Sequence, residues 1–466
     1  MWCRRRRALP VATAVNRTTD FAKETPMSAD RLSSLDIAFL CIDGAATPMH
    51  LGAVALFSAR NPDAHRLAAL VARRADALPR LRQRVRTELT GGARWEDDPT
   101  FDATQHVSTH HLAGEGPEPL TAHASRWLAT PLAVHRPLWS AQIVTGLSEE
   151  RFALLIKLHH ALCDGTGAIE LALGLLDHTP LPRPTPRTFR SPTAKDDSPL
   201  RTLWRGARAT VEQAIGSTVE SASIAGAMLR AARPYPLSPT VTTCSPRRRL
   251  GLVRLDLDDI RRVRKTHGGT TNDVVLALLA GAFRDWLVNR NDDPVRPLRA
   301  LVPVSMRRRR GAEAGGNALS GYLCDLPVDT DSPIERLHAV TRTMNRNKQA
   351  GPWRGAGALP VLAEHLPGAV HRLATRTVAH AAPLLFDTVV TNVPLPNIPL
   401  ALDGAPLCEV YPVVPLAPHQ SVGCAVSTYQ NGVYIGLHTG GDAVSGVGSL
   451  ADAVTKSMAV LLQHCP

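Results

Sequence analysis

The stretch His159-His160-Ala161-Leu162-Cys163-Asp164-Gly165 places two imidazoles, a carboxylate and a glycine within one short span. Histidine is the side chain whose ordinary pKa lies nearest neutrality, so an imidazole held in one tautomer can act as a general base. Asp164, on so tight a loop, does not easily turn back onto the His160 ring. Its expected role is to order the loop by pairing with an arginine. Gly165 is expected to supply a backbone angle closed to other residues. A metal site is the competing chemistry, but the pair lacks H-E-x-x-H spacing and a clear third ligand, so no metal is expected. Two adjacent histidines alone serve packing as readily as chemistry, so the surrounding elements decide between the readings.

Those elements are legible. Residues 140–147 and 152–158 are apolar runs joined by Ser148-Glu149-Glu150 and read as two strands. An apolar helix over 168–176 follows. The histidines therefore sit on a loop held between a buried strand and a helix. Upstream, 50–57 reads as a strand and 120–128 as a helix. Between them, 62–86 carries Leu67, Leu70, Val71, Leu78 and Leu81 among arginines, a helix with one buried stripe ending around Pro79. Residues 178–200 are rich in Pro, Thr, Ser and charge and read as a linker or exposed crossover. Residues 203–232 read as a long connecting helix pair with basic ends. They are suited to packing between domains or, alternatively, to lying at a membrane interface.

A second unit begins near Arg248. Residues 250–257 alternate like a strand, and 258–266 read as a charged helix. Thr271-Asn272-Asp273 is expected to cap an apolar helix over 274–287. Strands are expected over 298–306, 319–327 and 387–393, and over 421–428 and 432–438 joined by Gln430-Asn431. Helices are expected over 334–348 and 451–462. The fold class is α+β. The expected division is a basic tail (1–27), an N-terminal domain carrying the histidines (28–178), a linker with connecting helices (179–247) and a C-terminal domain (248–466).

Composition bounds the rest. The chain has 466 residues, 53 Lys and Arg against 41 Asp and Glu, and a net charge of +12. Hydrophobic residues at 44% and charged residues at 20% exclude a mostly disordered, collagen-like or rod-like chain. No run approaches the ~18 apolar residues of a membrane-spanning helix. Residues 1–26 have a charged start and only a short apolar run broken by Asn16 and Arg17. They read as a basic tail rather than a secretory signal, with folded structure beginning near Met27. Eight scattered cysteines without a C-x-x-C pair read as free thiols in a reducing cytosol. The arginine runs 4–7, 247–249 and 307–310 suit phosphate groups. Nucleic acid is not expected as the partner: aromatics are only 4%, the charge is split, and no recognised binding motif is present.

The order H-H-x-x-x-D-G between a strand and a helix resembles the active-site signature of the coenzyme A-dependent acyltransferase superfamily. Within it, the chain looks most like the bacterial wax ester synthase/diacylglycerol acyltransferase family. Leu32-Ser33-Ser34-Leu35-Asp36 with Phe39, then Thr47-Pro48-Met49-His50-Leu51-Gly52, resembles the family's opening. Pro137-Leu138-Trp139 resembles its P-L-W motif and Asn272-Asp273 its N-D motif. Val302 to Arg307, Thr391-Asn392-Val393-Pro394 and Tyr411-Pro412-Val413 resemble later blocks. The likeness runs from about residue 31 to about residue 440. Leu395 departs from it, standing where the family usually has glycine, which would narrow or reshape a tunnel. The stretches APHQSVGCAVSTY and HTGGDAV are also less regular than the family pattern.

The resemblance implies two chloramphenicol acetyltransferase-like domains forming a pseudo-dimer around an interdomain tunnel. It implies that His160 is the catalytic base beside His159, with Asp164 and Gly165 ordering the loop. Asn272, Asp273 and Ser427 become candidates for binding substrate or the oxyanion. The implied reaction moves a long-chain acyl group from acyl-CoA, a co-substrate, to diacylglycerol or a long-chain alcohol, with no permanently bound cofactor. The implied location is cytoplasmic, peripheral to a membrane or lipid-droplet surface. A catalytically silent lipid-binding protein and a carrier-protein-dependent condensation enzyme are the alternatives.

Overall fold

Hydrogen bonding sorts the strands into two main sheets, each covered by helices, in the computed structural model. It describes residues 31–88, 92–114, 116–147, 150–178, 240, 245–305, 319–350, 382–440 and 446–466. The tail, most of the linker, the expected helices over 203–232 and the arginine runs 4–7 and 307–310 lie outside the described residues. The strands, in chain order, are β1 (His50–Ser58), β2 (Gln83–Thr87), β3 (Ala93–Asp97), β4 (Val107–His111), β5 (Trp139–Leu147), β6 (Arg151–His159), β7 (Asp177–His178), β8 (Arg248–Asp256), β9 (Leu298–Ser305), β10 (Leu319–Leu326), β11 (Thr388–Asn392), β12 (Leu400–Leu402), β13 (Ala405–Val413), β14 (Val422–Tyr429) and β15 (Gly432–Gly440).

The first sheet has the order β4-β5-β6-β1-β13-β12-β7 and the second β10-β9-β11-β14-β15-β8; β2 and β3 form a separate hairpin. Almost every residue of β6 is buried, so it reads as a continuous apolar run rather than an alternation. Near its start, Phe152 stacks on Phe57 of β1, ring centroids 5.1 Å apart. The second core is built around the helix Thr271–Val288, most of whose residues are buried. Both expected units, each a sheet with helices, are present.

Residues 400–413 lie far down the chain in the expected second unit, yet β12 and β13 pair into the first sheet. Antiparallel β13 runs beside β1, with Gly52 opposite Val413 and Ala55 opposite Val410. The same strand lies across the second sheet. The Ser427 hydroxyl donates to the Val410 carbonyl at 2.7 Å, and the Tyr434 hydroxyl to the Cys408 carbonyl at 2.8 Å. A Cβ on Gly436 would fall 1.9 Å from the Pro412 carbonyl oxygen, so only glycine permits this crossing. Elsewhere the Leu250 amide donates to the Ser125 hydroxyl at 3.0 Å, tying β8 to the helix Pro117–Ala129.

Two local expectations are corrected. The helix expected over 62–86 spans Ala64–Asp76, capped by Asp63, and a short turn from Pro79 leads into β2. Proline at the start of that turn cannot donate to a preceding helix. The helix expected over 274–287 begins at Thr271 and is capped by Thr270. Thr270 and Asp273 form the reciprocal pair of bonds, 3.2 and 2.8 Å, of a capping box.

Candidate active site

The two histidines stand where β6 ends. β1 and β6 are adjacent and antiparallel, with His50 opposite His159. The His159 amide donates to the Leu138 carbonyl at 2.9 Å, and the His160 amide to the Met49 carbonyl at 2.8 Å. The chain then turns tightly: the Leu162 amide returns to the His159 carbonyl at 2.9 Å, and the Ala161 amide donates to His159 Nδ1 at 3.0 Å. That last bond fixes a tautomer, because an accepting Nδ1 leaves the proton of the neutral ring on Nε2. His159 Nε2 lies 3.8 Å from Asp43 Oδ1, and His50 Nε2 lies 4.0 Å from the same oxygen.

Asp164 closes the turn as the cap of the helix Gly165–Leu175. Its carboxylate accepts the Gly167 amide at 2.8 Å and its carbonyl the Ala168 amide at 2.8 Å. It thus satisfies amides that a helix start leaves open and places its charge at the positive end of the helix dipole. The His160 ring stacks on Phe39, centroids 4.0 Å apart and planes 20° from parallel. Phe39 belongs to the helix Ser34–Ile42.

The surroundings are enclosed. His159 is fully buried and His160 only 9% exposed. Burial lowers the His160 pKa to about 4, against the opposing pull of its own backbone and of Asp164. Burial, then the His50 and His160 rings, lower His159 to about 3. Burial and the nearby Lys157 ammonium lower His50 to about 4. Lys157 is itself buried, donating to the Trp127 and Thr130 carbonyls at 2.8 Å each. Burial lifts Asp43 above the ordinary carboxylate value, opposed by the bond from the Met49 amide. At neutral pH the imidazoles are uncharged, the state a base requires.

The sequence expectations meet this geometry unevenly. His159, His160, Asp164 and Gly165 form one turn. Gly165, however, does not use glycine's conformational freedom. It is the first residue of its helix, is absent from the left-handed residues, and an added Cβ would meet Val393 Cγ2 at an ordinary 3.6 Å. That contact brings the Thr391–Pro394 stretch alongside the turn. Leu395 packs against the first core, its amide donating to the Thr428 carbonyl at 3.2 Å.

Asn272 and Asp273 sit in the first turn of the helix Thr271–Val288, in the second unit. Asp273 is fully buried and closes the capping box, with Gly269 against it. Its described bond is structural. Ser427 commits its one hydroxyl proton to Val410, so it has none to offer an oxyanion. The basic run 247–249 is also divided. Arg248 is buried and donates to the Ser245, Arg247 and Ala46 carbonyls, which leaves it unsuited to a phosphate outside. The structure adds Asp43, Met49 and His50 to the site. The Thr47 to Gly52 stretch carries the signal for Met49 and His50, whose place beside the histidine strand is a matter of sheet pairing; nothing in the sequence singles out Asp43.

Comparison with known proteins adds to the geometry. The family model of the wax ester synthase/diacylglycerol acyltransferase catalytic domain matches residues 32–275, and that of the WS/DGAT C-terminal domain matches 315–461. A protein named as probable diacylglycerol O-acyltransferase tgs1 of Mycobacterium tuberculosis is 30% identical over 449 residues, covering 93% of this chain and 96% of that protein. Its namesake tgs2 from the same organism is 33% identical, covering 88% and 93%. The solved wax ester synthase/diacylglycerol acyltransferase of Marinobacter aquaeolei VT8 superposes with a TM-score of 0.68 at 25% identity, covering 93% of this chain and 98% of that one. The first condensation domain of the CDA synthetase shares the fold, with a TM-score of 0.55 at 16% identity and coverage of 94% and 98%.

Proposed function

The chain belongs to the wax ester synthase/diacylglycerol acyltransferase family and is an acyltransferase, and on that premise we propose that it moves a long-chain acyl group from acyl-CoA to the hydroxyl of diacylglycerol or a long-chain alcohol, with His160 as general base. The observation that carries this reading is the buried, uncharged His160 ring on a turn fixed by three neighbours: Met49, His159 and Asp164. A neutral imidazole takes the hydroxyl proton as the oxygen attacks the thioester carbonyl. The new C–O bond forms, the C–S bond breaks, and the imidazolium returns its proton to the leaving coenzyme A sulfur. Asp164 favours the transient imidazolium. Enclosed surroundings strengthen that attraction and keep water from competing with the alcohol.

Among the described residues no helix is long and apolar enough to cross a membrane. We infer that lipid acceptors are met at a surface, and the exposed Arg249 beside the buried Arg248 suits an anionic one.

The test is transfer from radiolabelled palmitoyl-CoA to diacylglycerol and to hexadecanol, beside a folded His160→Ala. Lipid product is expected from the parent, with a loss of about 10²-fold or more in the variant. Product at the parental rate in His160→Ala removes the base assignment. Transfer only from a carrier protein-bound acyl group removes coenzyme A as donor.

A further inference from the structure

We propose that Phe39 is a positioning residue for acyl transfer, its phenyl ring fixing the plane of the His160 imidazole and shielding one face of it. The inference rests on the reading of His160 as base. It begins from a contact the reaction itself does not require: the two rings lie 4.0 Å apart, planes within 20°. An imidazole attached through two rotatable bonds has a choice of orientations. A flat partner on one face removes the tilts that would collide with it, and flat pairing of rings is favourable in itself.

The partner is itself held. The helix Ser34–Ile42 is fixed at its start by a capping box: the Ser33 amide bonds the Asp36 carboxylate at 2.9 Å, and the Asp36 amide bonds the Ser33 hydroxyl at 3.1 Å. The adjoining Leu32 amide donates to the Ala93 carbonyl at 3.0 Å. At the other end the Asp43 amide donates to the carbonyl of Phe39 itself at 3.0 Å, and the Thr47 hydroxyl to the Ile42 carbonyl at 2.9 Å. Asp43 Oδ1 accepts the Met49 amide at 2.8 Å, and the Met49 carbonyl accepts the His160 amide at 2.8 Å. One short path therefore runs from the Phe39 backbone through Asp43 and Met49 to the His160 backbone, while the side chains meet directly. Ring and ring are set by the same scaffold, the arrangement that keeps a base within the small tolerance proton transfer allows.

Phe39 is half-buried, unlike Phe57 and Phe152, whose stacked rings are wholly enclosed. It is therefore not a filler of the main core. As the imidazole gains a proton during transfer, a phenyl face also becomes a favourable neighbour for the charge.

The experiment compares Phe39→Leu and Phe39→Tyr with the parent and His160→Ala, using palmitoyl-CoA and hexadecanol and recording kcat, KM for both substrates, and the thermal midpoint. Leucine keeps apolar bulk and loses the flat face. It is expected to lower kcat by roughly 10-fold or more, with both KM values within about two-fold and the midpoint little changed. Tyrosine keeps the face and is expected to restore kcat to within about three-fold. The residual rate of His160→Ala is expected to be unchanged by adding Phe39→Leu, because Phe39 acts through His160. Parental kcat in Phe39→Leu overturns the inference. So does a rise confined to KM, which makes Phe39 a pocket wall, and so does equal loss in the Leu and Tyr variants with a lowered midpoint, which makes it a structural residue. Full turnover in His160→Ala overturns the base assignment instead, whatever Phe39 shows.

Discussion

Asp164 makes two interactions that can be separated by one atom. Its Oδ1 accepts the Gly167 amide at 2.8 Å, and its charge favours protonated His160. Asp164→Ala removes both. It is expected to lower stability by on the order of 1 kcal/mol, the usual value of a cap, and to lower turnover as well. Asp164→Asn keeps an oxygen for the same amide and loses the charge. It is expected to hold the thermal midpoint while kcat falls. Thermal melts alongside palmitoyl transfer check this. A parental kcat in the asparagine variant would assign Asp164 to the cap alone. The histidine turn could be read in the sequence because H-H-x-x-x-D-G is compact. Its supports could not, because Phe39, Asp43 and Met49 lie more than a hundred residues upstream and reach it only through the pairing of β1 with β6.

Among the elements, β5 and β6 announced themselves as apolar runs divided by Ser148-Glu149-Glu150, and the hairpin of β14 and β15 by Gln430-Asn431. β13 gave no such signal. Pro406 and Pro412 interrupt it, and proline is rare in an interior strand. Its place between β1 and β12 is set by partners far away in sequence. The helix starts three residues before the expected Val274, at Thr271 with Thr270 as its cap, because the polar Thr271-Asn272-Asp273 run belongs to the first helical turn and Thr270 and Thr271 offer the same capping side chain. The crossing of β13 over the second sheet gives a paired test. Gly436→Ala puts a methyl 1.9 Å from the Pro412 oxygen, a backbone atom that cannot step aside. The expected outcome is a loss of roughly 3 kcal/mol or more, or no folded protein. Gly165→Ala meets only Val393 Cγ2 at 3.6 Å in a helical residue, so stability is expected to hold within about 0.5 kcal/mol. Urea unfolding of both variants decides. Equal midpoints would mean the sheets are not pressed together at Pro412.

At the scale of the whole molecule, five of the described histidines are buried and each has its pKa lowered chiefly by burial, His106 among them. His50, His160 and His438 titrate near 4 and His159 near 3, each lowered chiefly by burial. His438 belongs to β15 of the second sheet, so both units take part. In the unfolded chain these rings regain a pKa near 6.5 and bind protons that the folded chain refuses. Their contribution is therefore complete above pH ~6.5 and is lost as pH falls from there to about 4. Denaturant midpoints are expected to be level from pH 8 to 7 and to drop steeply between pH 6 and 4.5, less so in His438→Gln. A flat profile over that interval would show the rings to be hydrated. The interleaved topology also sets an order of events during synthesis. One side of β1 can pair with β6 once residue 159 has emerged, but the other side waits for residues 405–413. At ~5–20 residues per second that interval lasts roughly 10–50 s on the ribosome. Throughout it the nascent half carries a bare strand edge of the kind that recruits neighbouring chains.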